Sequence, residues 1–298
     1  MAWRGLHLTQ AARLTLADGQ LVVAREESVV RVSLEDVAWV VIDTPQVMLS
    51  TALISACMDA GIAIVTTDVR HTPSGLLLPF HRHHRQAHVA GVQLAASEPL
   101  KKRLWQRMVQ AKIVNQGANL AVCSRAEAPL AEMAKLVASG DPENVEARAA
   151  REYWRRLFVG FVRENGADYR NGLLNYGYAV VRAVVARALV ASGLLPCVGV
   201  HHDSASNAFN LADDLVEPFR PFVDRVVFSL SDDGRRSDGE ASVADRQTLA
   251  GLPLTEVRLG REKMTLLAAV EQSADSLVRA LEAGSAAALR LPAFAAGA

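Results

Sequence analysis

Cysteine is scarce in this chain: Cys57, Cys123 and Cys197 are the only three, and they lie far apart. No C-x-x-C pair exists, which excludes a zinc ribbon and argues against a disulfide framework, so a reducing, cytoplasmic setting is expected. Net charge is missing too, since 32 Lys and Arg residues face 32 Asp and Glu residues. Any nucleic-acid surface must therefore come from local segregation of charge, not from a global excess. The opening residues, Met1 to His7, hold no apolar run of the kind a secretory signal needs. The most apolar long stretch, Tyr178 to Val200, is interrupted by Arg182, Arg187 and Pro196. It reads as a buried core helix and not as a membrane span. There is no internal repeat, no low-complexity tract and no Ser-His-Asp or Cys-His pattern. What is present is ordinary for a globular protein: 298 residues, half of them hydrophobic and 21% charged, enough for one large domain or two small ones.

The pattern changes along the chain and predicts an α+β protein, a small β-rich N-terminal domain followed by a larger all-helical domain. Residues 13–16 and 21–23 flank Asp18-Gly19, a hairpin signal. Residues 29–32, 37–42 and 62–65 are further expected strands, rich in β-branched side chains, with a helix over 47–60 that Gly61 ends. Pro73, Gly75 and Pro79 mark a linker over 68–79, so the expected domains are 1–80 and 81–298. Beyond it the helical period dominates, with helices expected over 85–95, 98–120, 126–138, 142–164, 173–193, 210–229 and 258–283. The polar stretch 231–240 reads as a loop, and 284–298, mostly small residues, as a frayed tail.

Three segments carry residues suited to chemistry. In the first, Asn210 reads as a helix N-cap, with Asp213 in the opening turn and Asp214 and Glu217 on one face. Like charges so placed repel, and a bound cation offsets the cost. Pro218 removes a helix hydrogen bond just there and re-aims Glu217. The plain alternative is a solvated acidic helix start favoured by the macrodipole. In the second, Gly199 precedes Val200, His201 and His202, and its turn presents an imidazole from a loop. Neighbouring side chains diverge, so at most one His is a ligand; the alternative is a surface His pair. In the third, a helix places Glu146, Ala149, Ala150 and Tyr153 on one side, with Arg148, Arg151 and Arg155 as a basic stripe beside it. A helix patterned with ion pairs is the competing reading. Two carboxylates and one imidazole together suit Mn²⁺ or Mg²⁺ better than zinc.

At these residues the sequence resembles the CRISPR adaptation integrase family, the Cas-one proteins, over nearly the whole chain. The resemblance rests on Glu146 to Trp154, on Gly199-x-x-His202, on the acidic pair Asp214 and Glu217 ahead of Pro218-Phe-Arg-Pro221, and on Asn171 to Tyr178. The opening Met1 to Arg4 and the phrase Glu217 to Pro221 are most similar to the version found with Cas9-type (type II) systems. Many members carry Asp where this chain has Glu217, whose longer side chain still reaches a metal.

The resemblance implies a metal-dependent DNA endonuclease and integrase. In its reaction the 3′-hydroxyl of a short DNA attacks a phosphodiester of the repeat array. Glu146, His202 and Glu217 would be the catalytic metal ligands for Mn²⁺ or Mg²⁺, and Asp214 an auxiliary group that orients them. It also implies a homodimer, with the N-terminal domain as the dimerising part, joined to the small Cas-two protein on double-stranded DNA. Phosphate contacts are expected from Arg82, Arg85, Arg148, Arg151 and Arg155, and the tail could dock a partner. Two other readings stay open at this point: a stand-alone metal-dependent nuclease on branched or repair DNA, and a non-catalytic DNA-capture scaffold.

Overall fold

The computed structural model describes residues 3–80, 83–124, 129–163 and 165–294. Arg82 and the start of the helix expected over 126–138 lie outside them. The chain divides into two compact units, Met1–His84 and Arg85–Ala298, and its architecture is strand-rich first and helical afterwards.

The first unit runs β1 (Arg4–Leu8), β2 (Ala12–Ala17), β3 (Gln20–Ala24), β4 (Val29–Ser33), β5 (Val37–Ile42), β6 (Val47–Leu49), α1 (Thr51–Ala60), β7 (Ala63–Thr67) and β8 (Pro73–Leu77). Asp18 and Gly19 both take positive φ, 50° and 71°, the two-residue turn that follows the right-handed twist of β2 and β3. One sheet has the order β4-β3-β2-β6 and the other β1-β5-β7-β8. All six residues of β5 are buried, as a strand between parallel neighbours β1 and β7 should be. Leu14, Leu21 and Val32 from one sheet share a core with Val40, Ile42 and Ile64 from the other and with Leu53 of α1. Gly61 ends α1 in the left-handed conformation, φ 71°.

Two expectations need correction here. Residues 47–49 are not the start of the helix: they pair with β2, and the helix begins after Ser50, whose hydroxyl accepts from the Leu53 amide. Nor is 68–79 a bare linker, because Pro73 to Leu77 forms an antiparallel pair with β7. Proline is tolerated there at the first residue of an edge strand.

The second unit runs α2 (Gln86–Leu94), α3 (Glu98–Cys123), α4 (Leu130–Leu136), α5 (Val145–Leu157), α6 (Tyr169–Ala191), α7 (Asn210–Val216), α8 (Arg220–Leu230), α9 (Val243–Ala250), β9 (Glu256–Leu259), β10 (Glu262–Thr265), α10 (Leu266–Glu282) and β11 (Pro292–Ala293). Helix α6 is its axis. By length and composition it could cross a membrane, but 83% of its apolar window is packed inside the protein. It lies against α7, α8, α9 and α10, and α3 lies against α4, α5 and α8.

This unit is helical with one addition, a small sheet of order β10-β9-β11. The helix expected to start at Arg258 starts at Leu266, capped by the Thr265 hydroxyl. Gly260, at φ 68°, closes the β9–β10 hairpin instead. Helix α9 was not expected, although Ser242 and Asp245 form its capping box just beyond the polar loop. The tail is not frayed through Phe294: its ring packs 4.2 Å from that of Phe222, and Asn115 donates to the Pro292 carbonyl at 3.0 Å. Small size did not mean weak packing.

Candidate metal centre

Glu146 sits in the first turn of α5. Asp141 prepares that turn by accepting from the Val145 and Glu146 amides, both at 2.9 Å, through its two carboxylate oxygens. Asn144 adds a side-chain cap. These caps start the helix at 145 rather than at the expected 142. Ala149 and Tyr153, one and two turns on, are buried, while Arg148, Arg151 and Arg155 face solvent. Arg155 pairs with Glu152 at 3.0 Å. Arg85 is also committed, at 3.2 Å from Glu282.

Asn210 is not the N-cap expected of it. It is the first helical residue of α7, and its amide donates to the carbonyls of Cys197 at 3.1 Å and Ser204 at 3.0 Å. It thereby ties the preceding loop to the helix. Glu217 to Phe219 is a 3₁₀ turn between α7 and α8, which Pro218 explains by lacking the amide that would continue α7. Asp213 is held by Arg182 at 2.9 Å and Asn207 at 2.7 Å.

Asp214 is the anchor of the His loop. Fully buried, it accepts from the amides of Val200 at 2.6 Å, His201 at 3.2 Å and His202 at 3.0 Å, and contacts His202 Nδ1 at 2.8 Å. The approach demands glycine at 199, where a Cβ would stand 2.1 Å from the His202 carbonyl oxygen. The two histidines diverge: His201 stacks on Trp105, with ring centroids 4.1 Å apart, while His202 has its Nδ1 on Asp214. That leaves Nε2 as the outward nitrogen, the arrangement in which a carboxylate orients a ligating imidazole. The hydrogen bond to Asp214 holds the His202 pKa above its ordinary value, against a smaller opposing effect of burial.

Between the two glutamates stands Lys112, a buried residue of α3. Its Nζ is 2.6 Å from Glu146 Oε1 and 2.5 Å from Glu217 Oε2. Glu217 Oε2 is itself buried, with the Lys112 ammonium directly against it. Arg220 Nε lies 3.0 Å from the other Glu217 oxygen. Burial alone would push the Glu217 carboxyl up, but the charges of Lys112 and Arg220 outweigh it and hold the pKa below the usual range. Burial likewise works against the Lys112 charge, and Glu217 with Glu146 more than compensates. His202 and Glu217 are near enough for their charges to interact. Among the described residues, no three carboxylate, thiol or imidazole groups converge at ligating spacing. A cation position between Glu146 and Glu217 does exist, and an ammonium fills it. The two carboxylates that face it are hard oxygen donors of the kind a small divalent ion takes.

Lys112 was not anticipated from the sequence. The available signal was Lys112, Asn115, Gln116 and Asn119, four polar residues at helical spacing on the buried face of α3. They floor the site: Asn119 donates to Tyr153 Oη at 2.7 Å, and Tyr153 donates to Asp224 Oδ2 at 2.9 Å. Tyr178 donates to the other Asp224 oxygen. Burial pushes the Asp224 carboxyl up to about 7, against the opposing effect of those hydroxyls. Between pH of about 4 and 7 the folded protein therefore holds a proton on Asp224 that the unfolded chain has released. Folding takes up that proton, so stability falls as pH rises through the window, by at most about 1.4 kcal/mol per pH unit. Asp224→Asn should remove this slope. From pH 5 to pH 7 the wild-type denaturation midpoint should fall by more than that of the variant; equal changes in the two proteins would contradict the raised Asp224 carboxyl. Beside Glu217 opens a cleft of about 240 Å³ lined by Arg163, Tyr178, Arg182, Asp213 and Arg220. Its three guanidinium groups make it a natural place for a phosphate.

Residues 6–249 match the family described as CRISPR associated protein Cas1. The chain is 36% identical over 294 residues to the CRISPR-associated endonuclease Cas1 of Neisseria meningitidis serogroup C (strain 8013), covering 98% of this chain and 96% of that protein. Among solved structures it is similar to a casposase bound to integration product, with TM-score 0.77, 18% identity, and 95% of this chain and 91% of the other covered. It is also similar to a chain of a Cas6-RT-Cas1–Cas2 complex, with TM-score 0.76, 17% identity, and 97% of this chain and 36% of the other covered.

Proposed function

The chain belongs to the CRISPR-associated Cas1 family of endonucleases, and from that membership we propose that it is a spacer-acquisition integrase whose metal centre is built from Glu146, His202 and Glu217. The observation that carries the proposal is the paired glutamates closing on one buried cation position, with an Asp214-oriented imidazole within electrostatic reach. Membership implies dependence on a divalent metal. The donor chemistry narrows the choice to Mn²⁺ or Mg²⁺.

When bound, such an ion neutralises charge on the attacked phosphate and lowers the pKa of the attacking hydroxyl. Glu146 and Glu217 bring two negative charges to the position, and Asp214 fixes the imidazole tautomer that leaves Nε2 free to ligate. Arg163, Arg182 and Arg220 line the adjoining cleft and would steer phosphate oxygens. The exposed stripe of Arg148, Arg151 and Arg155 adds sequence-independent affinity for duplex DNA, which weakens with salt. In the exchange, the 3′-hydroxyl oxygen forms a new bond to phosphorus. The old phosphorus–oxygen bond breaks, and the leaving oxygen takes a proton. One phosphodiester replaces another, so no protein nucleophile and no nucleotide cofactor are required.

The Cas2-containing assembly and the product-bound casposase support duplex DNA and a Cas2 protein as partners here. We assign homodimerisation to the N-terminal unit and the chemistry to the helical unit. The test is a strand-transfer assay on supercoiled DNA carrying a repeat array. It uses the Cas2 partner, a short duplex with free 3′-hydroxyls, and Mn²⁺ or EDTA. Joining that needs the metal is expected; cutting without joining would instead point to a stand-alone nuclease.

A further inference from the structure

Lys112, on α3, belongs to neither the helix nor the turn that carries the glutamates, and among the described residues it is the cation that contacts both. Without any metal, the two carboxylates are already ion-paired: Glu146 and Glu217 with Lys112, and Glu217 also with Arg220. Adding a divalent ion with Lys112 still in place would set two cations against one another where Glu217 and Lys112 are both buried. The ion and the ammonium also need the same carboxylate oxygens, Glu146 Oε1 and Glu217 Oε2. Arg220 has a separate claim on Glu217 Oε1 and does not block the position. A lysine is suited to leaving, because its charge sits at the end of a flexible four-carbon stem and needs no fixed fork of hydrogen bonds.

Resting on the metal-centre reading above, we infer that Lys112 is an exchangeable internal counter-ion. It occupies the metal position in the metal-free protein, holds the two glutamates on one point between them, and must withdraw when the metal enters. Two consequences oppose each other. Lys112 stabilises the metal-free fold, since the buried Glu217 carboxylate and the partly buried Glu146 carboxylate facing each other without it repel. It also competes with the metal, so it weakens metal affinity.

The experiment measures Mn²⁺ binding from the loss of the free-ion EPR signal, together with the melting temperature in EDTA and in Mn²⁺. It uses the full-length wild type, Lys112→Met, Lys112→Arg and Glu146→Gln. For Lys112→Met the expected results are a lower melting temperature in EDTA, recovery in Mn²⁺, and Mn²⁺ affinity about tenfold or more tighter, as loss of a nearby like charge requires. Lys112→Arg keeps the charge and should stay at or below wild-type affinity. If Lys112→Met binds Mn²⁺ no better than wild type while Glu146→Gln weakens binding, the ion is at this site and the exchange is wrong. If Glu146→Gln leaves wild-type binding unchanged, the bound ion is elsewhere, and the metal-centre reading falls together with the inference.

Discussion

Replacing His202 with alanine is expected to reduce metal-dependent strand transfer by about 10³-fold or more while the protein still folds, since losing a ligand removes several kcal/mol of transition-state stabilisation. The side chain is only half-buried, and its backbone amide stays on Asp214, as do those of Val200 and His201. The loop is therefore held without the imidazole. Rates measured with saturating Mn²⁺, alongside denaturation midpoints, separate the two effects. A rate within tenfold of wild type would remove His202 from the centre. His201→Ala is the matched control: it deletes a ring stacked on Trp105, and the chemistry should survive it.

The second large effect belongs to Asp214→Ala, and it falls on stability and rate together. This carboxylate accepts three backbone amides and meets one imidazole nitrogen in a buried position. Truncating it leaves those amides without partners and His202 without an orienting group. The expected loss is about 3 kcal/mol of folding stability, with activity falling even where the variant is folded. Asp214→Asn repairs this only in part, because its NH₂ group must face at least one backbone N–H. A variant as stable as wild type would show that the His loop is held by something other than Asp214.

Much of the architecture was legible in the sequence because its signals are local. Asp18-Gly19, the β-branched run of β5 and the helical period of α3, α5, α6 and α10 are each decided within a few residues. What was missed depends on pairing at a distance. β1 and β8 are short strands that exist through their partners β5 and β7. Residues 258–265, the end of β9 with β10, were read as helix because they suit either period until Gly260 closes the hairpin.

The same division applies to the site. Glu146, His202 and Glu217 stand in recognisable segments, and the structure brings the two glutamates onto one position. Lys112 shares its helix face with Asn115, Gln116 and Asn119, a polar row that in a sequence reads as a face turned to water. Only the folded arrangement reveals that α5 and the 217–219 turn each deliver a carboxylate to it. Asn210 shows the converse: its residue type fits an N-cap, yet the loop before α7 takes its side chain for two carbonyls.

Glu146, His202 and Glu217 are thus proposed to bind one divalent ion where Lys112 Nζ now lies. Anomalous scattering at the manganese edge from crystals grown in Mn²⁺ should show a single strong peak in contact with both carboxylates and with His202 Nε2, and Lys112 withdrawn from between the glutamates. A peak elsewhere, or an ammonium still bridging Glu146 and Glu217 beside a bound ion, would contradict it.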